Sequence, residues 1–318
     1  MNARGRERGV ALILVLGLLA LISAWAVRAA SEDQVSLRRI RNMQDSDMAM
    51  MEAESGWALA RLELKRDRMA GTVDGLDEDW ARPHAPYPVD DGQVSVSIAD
   101  VNRYYNLNDL VRNGITQPQE LRIVRRLFAA VDVPQGLADA LADWMDADGR
   151  PTGYGGVEDS GYLDKPYRIK NAPLDSFAEL LLIKGFDADV LHKLARVATV
   201  LPVVGGPTRI NINTASKEVL MAVCEGMSAS DAESLIQERQ SSPYTADQLK
   251  ALAQMPFARD WASPQVLKRL TVRSDAFIVR TVGRYHGLQW GEKYVAYRDA
   301  LGDMHIVSRQ RLGWTAQG

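Results

Sequence analysis

Arg4-Gly5-Arg6-Glu7-Arg8-Gly9-Val10-Ala11-Leu12-Ile13-Leu14-Val15-Leu16-Gly17-Leu18-Leu19-Ala20-Leu21-Ile22-Ser23-Ala24-Trp25-Ala26-Val27-Arg28 is the stretch on which the fold turns. Three arginines precede Gly9, and Val10 to Val27 then runs for eighteen residues without a charge, about the least that crosses a bilayer as a helix. The basic flank stays cytoplasmic, so the chain beyond Arg28 is expected on the opposite side, which in a Gram-negative cell is the periplasm. A cleaved secretory signal is the competing reading, because Ala26-Val27-Arg28-Ala29-Ala30 offers a small-residue site. Against it, the helical pattern of apolar residues continues through Met43, Met50, Leu59, Leu62 and Leu64, and a cut after the apolar run would sever one long helix. A retained membrane helix that runs on into the folded part is therefore expected.

Around that helix, 318 residues with 46% hydrophobic and 25% charged side chains are enough for a substantial core and about two domains. A formal charge of −3 and a pI near 5.9 give no global attraction to nucleic acid or anionic lipid. Cys224 is the single cysteine, which excludes a disulfide framework or a cysteine zinc site within one chain. His84, His192, His286 and His305 lack the spacing that sets two imidazoles on one helical face, and they read as surface or core residues.

The β signals lie far apart. Gln93 to Ala99 alternates Val94, Val96 and Ile98 with polar residues, as a half-buried strand does. Matching strands come only at the end, at Ala276 to Tyr285, Tyr294 to Asp299 and His305 to Gln310, with turn signals at Gly287, Gly291 and Gly302-Asp303. Between them, Leu107 to Leu270 is almost wholly helical by pattern and punctuated by prolines. The fold class expected is α+β: a long N-terminal transmembrane helix, and an antiparallel sheet interrupted by a large inserted all-helical domain. The expected boundaries are a leader at 1–9, the membrane helix at 10–30, its continuation and first strand at 31–105, the insert at 106–271 and the closing strands at 272–318.

Arg6-Glu7-Arg8-Gly9-Val10-Ala11-Leu12-Ile13-Leu14-Val15 resembles the leader of the type IV pilin class, which a prepilin peptidase cuts after the glycine. The resemblance implies cleavage between Gly9 and Val10 and methylation of the new terminus at Val10. Removing three Arg and one Glu takes the formal charge from −3 to −5. Most of the class carries glutamate at the fifth mature position, where this chain has Leu14; the K-type minor pseudopilins of type II secretion systems are the subgroup that lacks it. Further motifs resemble that family: Tyr104-Tyr105-Asn106-Leu107-Asn108, then Leu141-Ala142-Asp143-Trp144-Met145-Asp146-Ala147-Asp148, then Gly156-Val157-Glu158-Asp159 and Ile212-Asn213-Thr214-Ala215. The resemblance spans nearly the whole chain. It implies a pilin fold with a helical insert, anchored once in the bacterial inner membrane with a periplasmic head and no enzymatic role. The partners implied are minor pseudopilins I and J in a tip trimer, with H and the major pseudopilin below.

Asp143, Asp146, Asp148, Glu158 and Asp159 fall within seventeen residues, around a Gly-rich run with no apolar period. Like charges that close repel unless something neutralises them. A hard cation with irregular oxygen coordination suits such a loop, although the spacing is not that of an EF-hand. A solvated acidic loop with Lys165, Arg168 and Lys170 as counterions accounts for the composition equally well; the family resemblance implies calcium. All five acids are candidate ligands, and Asp143, one helical turn before Asp146, is placed either to bind or to orient the site.

A DNA-binding module is the rival from another class. Ile210-Asn211-Ile212-Asn213-Thr214-Ala215-Ser216 with Val219-Leu220 and Ala232 to Arg239 resembles a helix-hairpin-helix repeat. Such repeats need a Gly-hydrophobic-Gly hairpin and nearby cations. Here the hairpin is Glu225-Gly226-Met227-Ser228, and four cations face six acids between Arg209 and Lys250, the wrong sign for gripping phosphates. The motif is expected to be a packing scaffold, with no nucleic acid as partner. Met43, Met48, Met50 and Met51 form an adaptable apolar face on the long helix, for the core or for a partner.

Overall fold

The computed structural model describes residues 3–203, 206–255, 258–259 and 261–313, with side chains from Leu14 onward. Ala3–Ala70 forms one helix of 68 residues, α1, about 100 Å long at 1.5 Å per residue. Its first half stands bare: Leu14, Leu18, Leu21 and Trp25 are all more than half exposed. Its second half changes character. Ala49, Ala53, Gly56, Ala60 and Leu64 recur every three or four residues and are buried; the first four make a seam of small residues that lets a sheet come close, and Leu64 enters the core.

That sheet has five antiparallel strands in the order β1 (Tyr87–Val89), β2 (Gly92–Asp100), β3 (Ala276–Tyr285), β4 (Leu288–Arg298) and β5 (Met304–Leu312). β2 pairs with β3 along its whole length, Asp100 opposite Phe277, although 175 residues (101–275) separate them in the chain. The β3–β4 turn is His286-Gly287 with φ of 45° and 84°, the paired positive values of a two-residue hairpin. β4 starts six residues before the expected Tyr294, because Gly291 is not a turn. It sits mid-strand opposite Val282, where a Cβ would come within 3.0 Å of the Leu312 side chain. Between sheet and helix, Trp57 stacks on Tyr294 at 4.7 Å and Trp80 meets Phe277 edge-on at 5.4 Å.

The insert leaves the sheet after Asp100 and returns at Ala276, some five residues outside the expected bounds at either end. Its helices are short: α2 (Pro118–Ala130), α3 (Gly136–Met145), α4 (Ala188–Leu194), α5 (Lys217–Val223), α6 (Ala229–Ser241), α7 (Ala246–Ala251) and α8 (Pro264–Leu267). They share one core that includes Leu107, Phe128, Leu141, Leu220, Tyr244 and Trp261. Two-residue ladders also tie it, Tyr105–Asn106 to Ala198–Thr199 and Ile210–Asn211 to Leu270–Thr271, both parallel.

Insert and sheet are joined by buried polar side chains. Arg298, fully buried on β4, donates to Asp67 at 2.6 Å, to Asp74 at 2.5 Å and to the Ser274 carbonyl at 2.9 Å. Asn211 donates to the Asp74 carbonyl and to Ser274 Oγ, while Thr214 Oγ1 donates to Asp100. Asn102 accepts the N–H groups of Asp275 and Ala276, where the chain re-enters the sheet. Most of the buried polar groups thereby find partners across the joint, which ties the head to its stalk.

Candidate metal centre

The acidic loop begins where α3 stops. Asp139 and Asp143 lie one turn apart on α3 and are both buried, and Asp146 follows at the C-terminal end. Asp139 is neutralised by Arg125, at 2.6 and 2.9 Å. Asp143 accepts the backbone N–H of Thr152 at 2.9 Å and that of Val157, so it folds the Gly-rich run back over the end of the helix. Gly156 makes this closure fit: a Cβ there would stand 2.4 Å from Thr152 N and 2.5 Å from Asp143 Oδ2.

The closure brings three of the five expected acids together. Asp146, Asp148 and Glu158 each present a carboxylate oxygen within 4.8 Å of the others, the first and third buried and the second exposed. Asp146 Oδ2 accepts from Thr116 Oγ1 at 2.8 Å, whereas Asp146 Oδ1 and Glu158 Oε1 are buried with no hydrogen-bond partner. Asp148 accepts the Arg150 N–H at 2.8 Å and turns the loop. Asp143 is held by the loop it clamps. Asp159 faces away, accepting from Ile169 N at 3.2 Å and pairing with Arg168 at 3.6 Å. Thr116, from a two-residue hairpin far back in the chain, carries no sequence signal for its contact with the site.

Electrostatics follow from crowding and burial. Glu158 is pushed up to about 7, first by burial and then by Asp143, Asp146, Asp148 and Asp159. Burial also raises Asp143 and Asp146, partly offset by the hydrogen bonds they accept. Orphaned carboxylate oxygens converging with raised pKa values form an all-oxygen donor set of the kind a hard cation takes. A second acidic trio, Asp67, Asp74 and Glu78, is already answered: Arg298 pairs with Asp67 and Asp74, and Glu78 accepts from Gly75 N and Trp80 Nε1.

The processing residues Gly9 and Val10 have helical backbone within α1, but their side chains lie outside the described residues. Leu14 is 68% exposed on the bare half of the helix. In the hairpin region, Lys217 pairs with Glu233, Arg239 donates to the Ile212 carbonyl at 2.6 Å, and Lys250 pairs with Asp247 at 3.2 Å. Those cations are engaged inside the insert, and the DNA-binding alternative finds no support.

A membrane helix that continues as the spine of an antiparallel sheet, with a helical domain set between the second and third strands, defines a membrane-anchored subunit of pilin-like architecture. Residues 104–203 and 210–270 match two family models, both described as type II secretion system (T2SS), protein K. The chain is 36% identical to the type II secretion system protein K of Pseudomonas aeruginosa over 249 residues, 74% of this chain and 73% of that one. It is 28% identical to that of Pectobacterium carotovorum, with 98% of each chain covered. Its fold matches a chain in the crystal structure of the GspK-GspI-GspJ complex from enterotoxigenic Escherichia coli, with a TM-score of 0.71 at 24% identity, covering 87% of this chain and all of that one. This chain belongs to the type II secretion system protein K family, the structural subunits called K-type minor pseudopilins.

Proposed function

We propose that the chain forms the tip complex that primes and caps the periplasmic pseudopilus, for export of folded proteins across the outer membrane, and that it acts as an assembly subunit and not as an enzyme. The observation that carries this reading is the 175-residue domain set between two hydrogen-bonded strands of a small pilin-like unit. In a filament whose subunits stack along their first helices, such a head collides with any subunit placed above it, and the tip alone has room. The neighbouring solved structure joins GspK with GspI and GspJ, which supports minor pseudopilins I and J as partners here, with H linking the trio to the major pseudopilin. The arginines before Gly9 set the N-terminus in the cytoplasm and the head in the periplasm, with α1 in the inner membrane. Prepilin peptidase then cuts between Gly9 and Val10.

The acidic loop fits calcium. Its donors are all oxygen, and two are buried and otherwise unmatched. Asp146, Asp148 and Glu158 would hold the ion, Asp143 would keep the loop closed on it, and a bound divalent charge would neutralise the cluster. The reading is tested by mixing the detergent-solubilised chain with the soluble domains of I and J and measuring mass in solution. One copy of each is expected, without self-association. Homopolymers of the chain alone, or no complex at all, would defeat it.

A further inference from the structure

The sheet face turned away from α1 has an unusual charge pattern. Among the residues of β2 to β5 the only acids are Asp100 and Glu292; their cross-strand partners Phe277 and Thr281 set both on the α1 face, where Thr214 donates to Asp100 and Arg309 pairs with Glu292. The opposite face carries Arg280 and Arg284 on β3 and Lys293 on β4, with Lys293 directly across from Arg280. Their other cross-strand neighbours, Ser97, Gln310, Gln93 and Gln289, are neutral. None of the three cations makes an ion pair with a described residue, and Arg284 Nε is buried without a partner. Burial first and Arg280 second hold the Lys293 ammonium below the usual lysine range. Like charges set directly opposite one another destabilise a sheet.

The insert turns this face into a groove. Leu201 packs with Val101 and Ala276 against Ile278, Val295 and Tyr297, and Tyr297 donates to the Pro202 carbonyl at 3.1 Å. Below that contact a groove of about 1130 Å³ remains, with Lys293 and Gln310 on its sheet side. The acid within it, Asp175, is taken by Lys170 at 2.8 Å. The groove also borders β5, one edge strand of the sheet, so an extended chain can enter from the side. Lipid headgroups are out of reach. Thr281 packs against α1 at Gly56, and the 29 residues from Val27 to Gly56 span about 43 Å of helix.

We propose that the groove beneath the insert, with Lys293 in its wall and Arg280 and Arg284 beside it on the same sheet face, is a docking site for an extended, carboxylate-rich segment of another protein. The occupant supplies the counterions that the face lacks, and the like-charged pair is retained for it at the expense of the sheet. The groove is separate from the acidic loop, so the proposal does not depend on calcium. The probe is a fluorescent ten-residue peptide alternating Glu and Thr, titrated by anisotropy against the full chain in detergent, with a Gln-Thr peptide as control. The Glu peptide is expected to bind about tenfold more weakly when salt rises from about 50 to 300 mM, and about tenfold more weakly again to an Arg280→Gln, Lys293→Gln double variant. That double variant is expected to melt at or above the temperature of the parent, because the repulsion is gone. Equal binding of both peptides, binding that the double variant leaves unchanged, or a lowered melting temperature in that variant would overturn the proposal. So would binding of glycerol phosphate, the soluble form of a lipid headgroup, to this face in place of the peptide.

Discussion

Glu158 keeps its proton up to about 7 against an ordinary 4.5, because it is buried among four other carboxylates. The folded chain therefore binds more protons than the unfolded chain between those values, and the stability this group contributes is lost as pH rises through the window. Asp67 is displaced in the same sense to about 7, and Asp100 and Asp109 to about 6, with burial as the first cause in each. The metal-free chain is accordingly expected to melt lower at pH 8 than at pH 5, each such group adding at most about 1.4 kcal/mol per pH unit. Calcium, which needs the ionised carboxylate, should raise the melting temperature more at pH 8 than at pH 5. Glu158→Gln and Asp146→Asn should abolish that rise, and scanning calorimetry with calcium and with chelator reads both effects. An unchanged profile in chelator would leave the loop merely solvated. The sequence located this loop but not which acids meet in it. Convergence depends on Asp143 capturing the N–H groups of Thr152 and Val157, and on Thr116 arriving from thirty residues upstream, neither of which has a periodic signature.

At the scale of elements, α1 and β3 approach each other backbone to backbone at Gly283. A Cβ on Gly283 would fall 2.0 Å from the Ala49 carbonyl oxygen and 2.6 Å from Ala53 N, both backbone atoms that cannot swing aside. Gly283→Ala is expected to destabilise by about 3 kcal/mol or more, whereas Gly287→Ala, strained at φ 84° in an open turn, costs nearer 1 kcal/mol. Chemical denaturation of the two variants side by side measures the difference. Arg298→Leu strips the buried Asp74 of its cation and should cost about 3–5 kcal/mol. Strand alternation and the helical period made β2, β3 and α1 legible from the sequence alone. The Arg298 joint was not, because Asp67 and Asp74, Asn211, and Arg298 are drawn from three distant stretches and each looks locally like an ordinary surface residue. Gly291 misled for a related reason: its role in accommodating Leu312 exists only once β4 and β5 have paired.

For the molecule as a whole, the split sheet announced an inserted domain, and the apolar N-terminal run announced the anchor; where the subunit sits in a filament follows from combining them. An insert of 175 residues folds to a radius of roughly 16 Å, and the buried joint around Arg298 ties it to the stalk. A subunit with that head belongs at the end of the stack. Leu14 agrees with such a position. The glutamate that the pilin class carries there pairs, in the packed core of a filament, with the terminal ammonium of another subunit, and the first subunit has no earlier one to meet. A carboxylate at this point would be buried in an apolar setting without a partner, at a cost of several kcal/mol. Leu14→Glu is therefore expected to slow the start of filament growth while leaving the complex of soluble domains intact, because the change lies on the bare half of α1, far from the head. Secretion of a reporter enzyme, measured beside co-purification of the soluble trio, separates the two effects. Wild-type secretion from the Leu14→Glu strain would break the link between the missing carboxylate and the tip, while the collision of the inserted head with an overlying subunit would still confine it there.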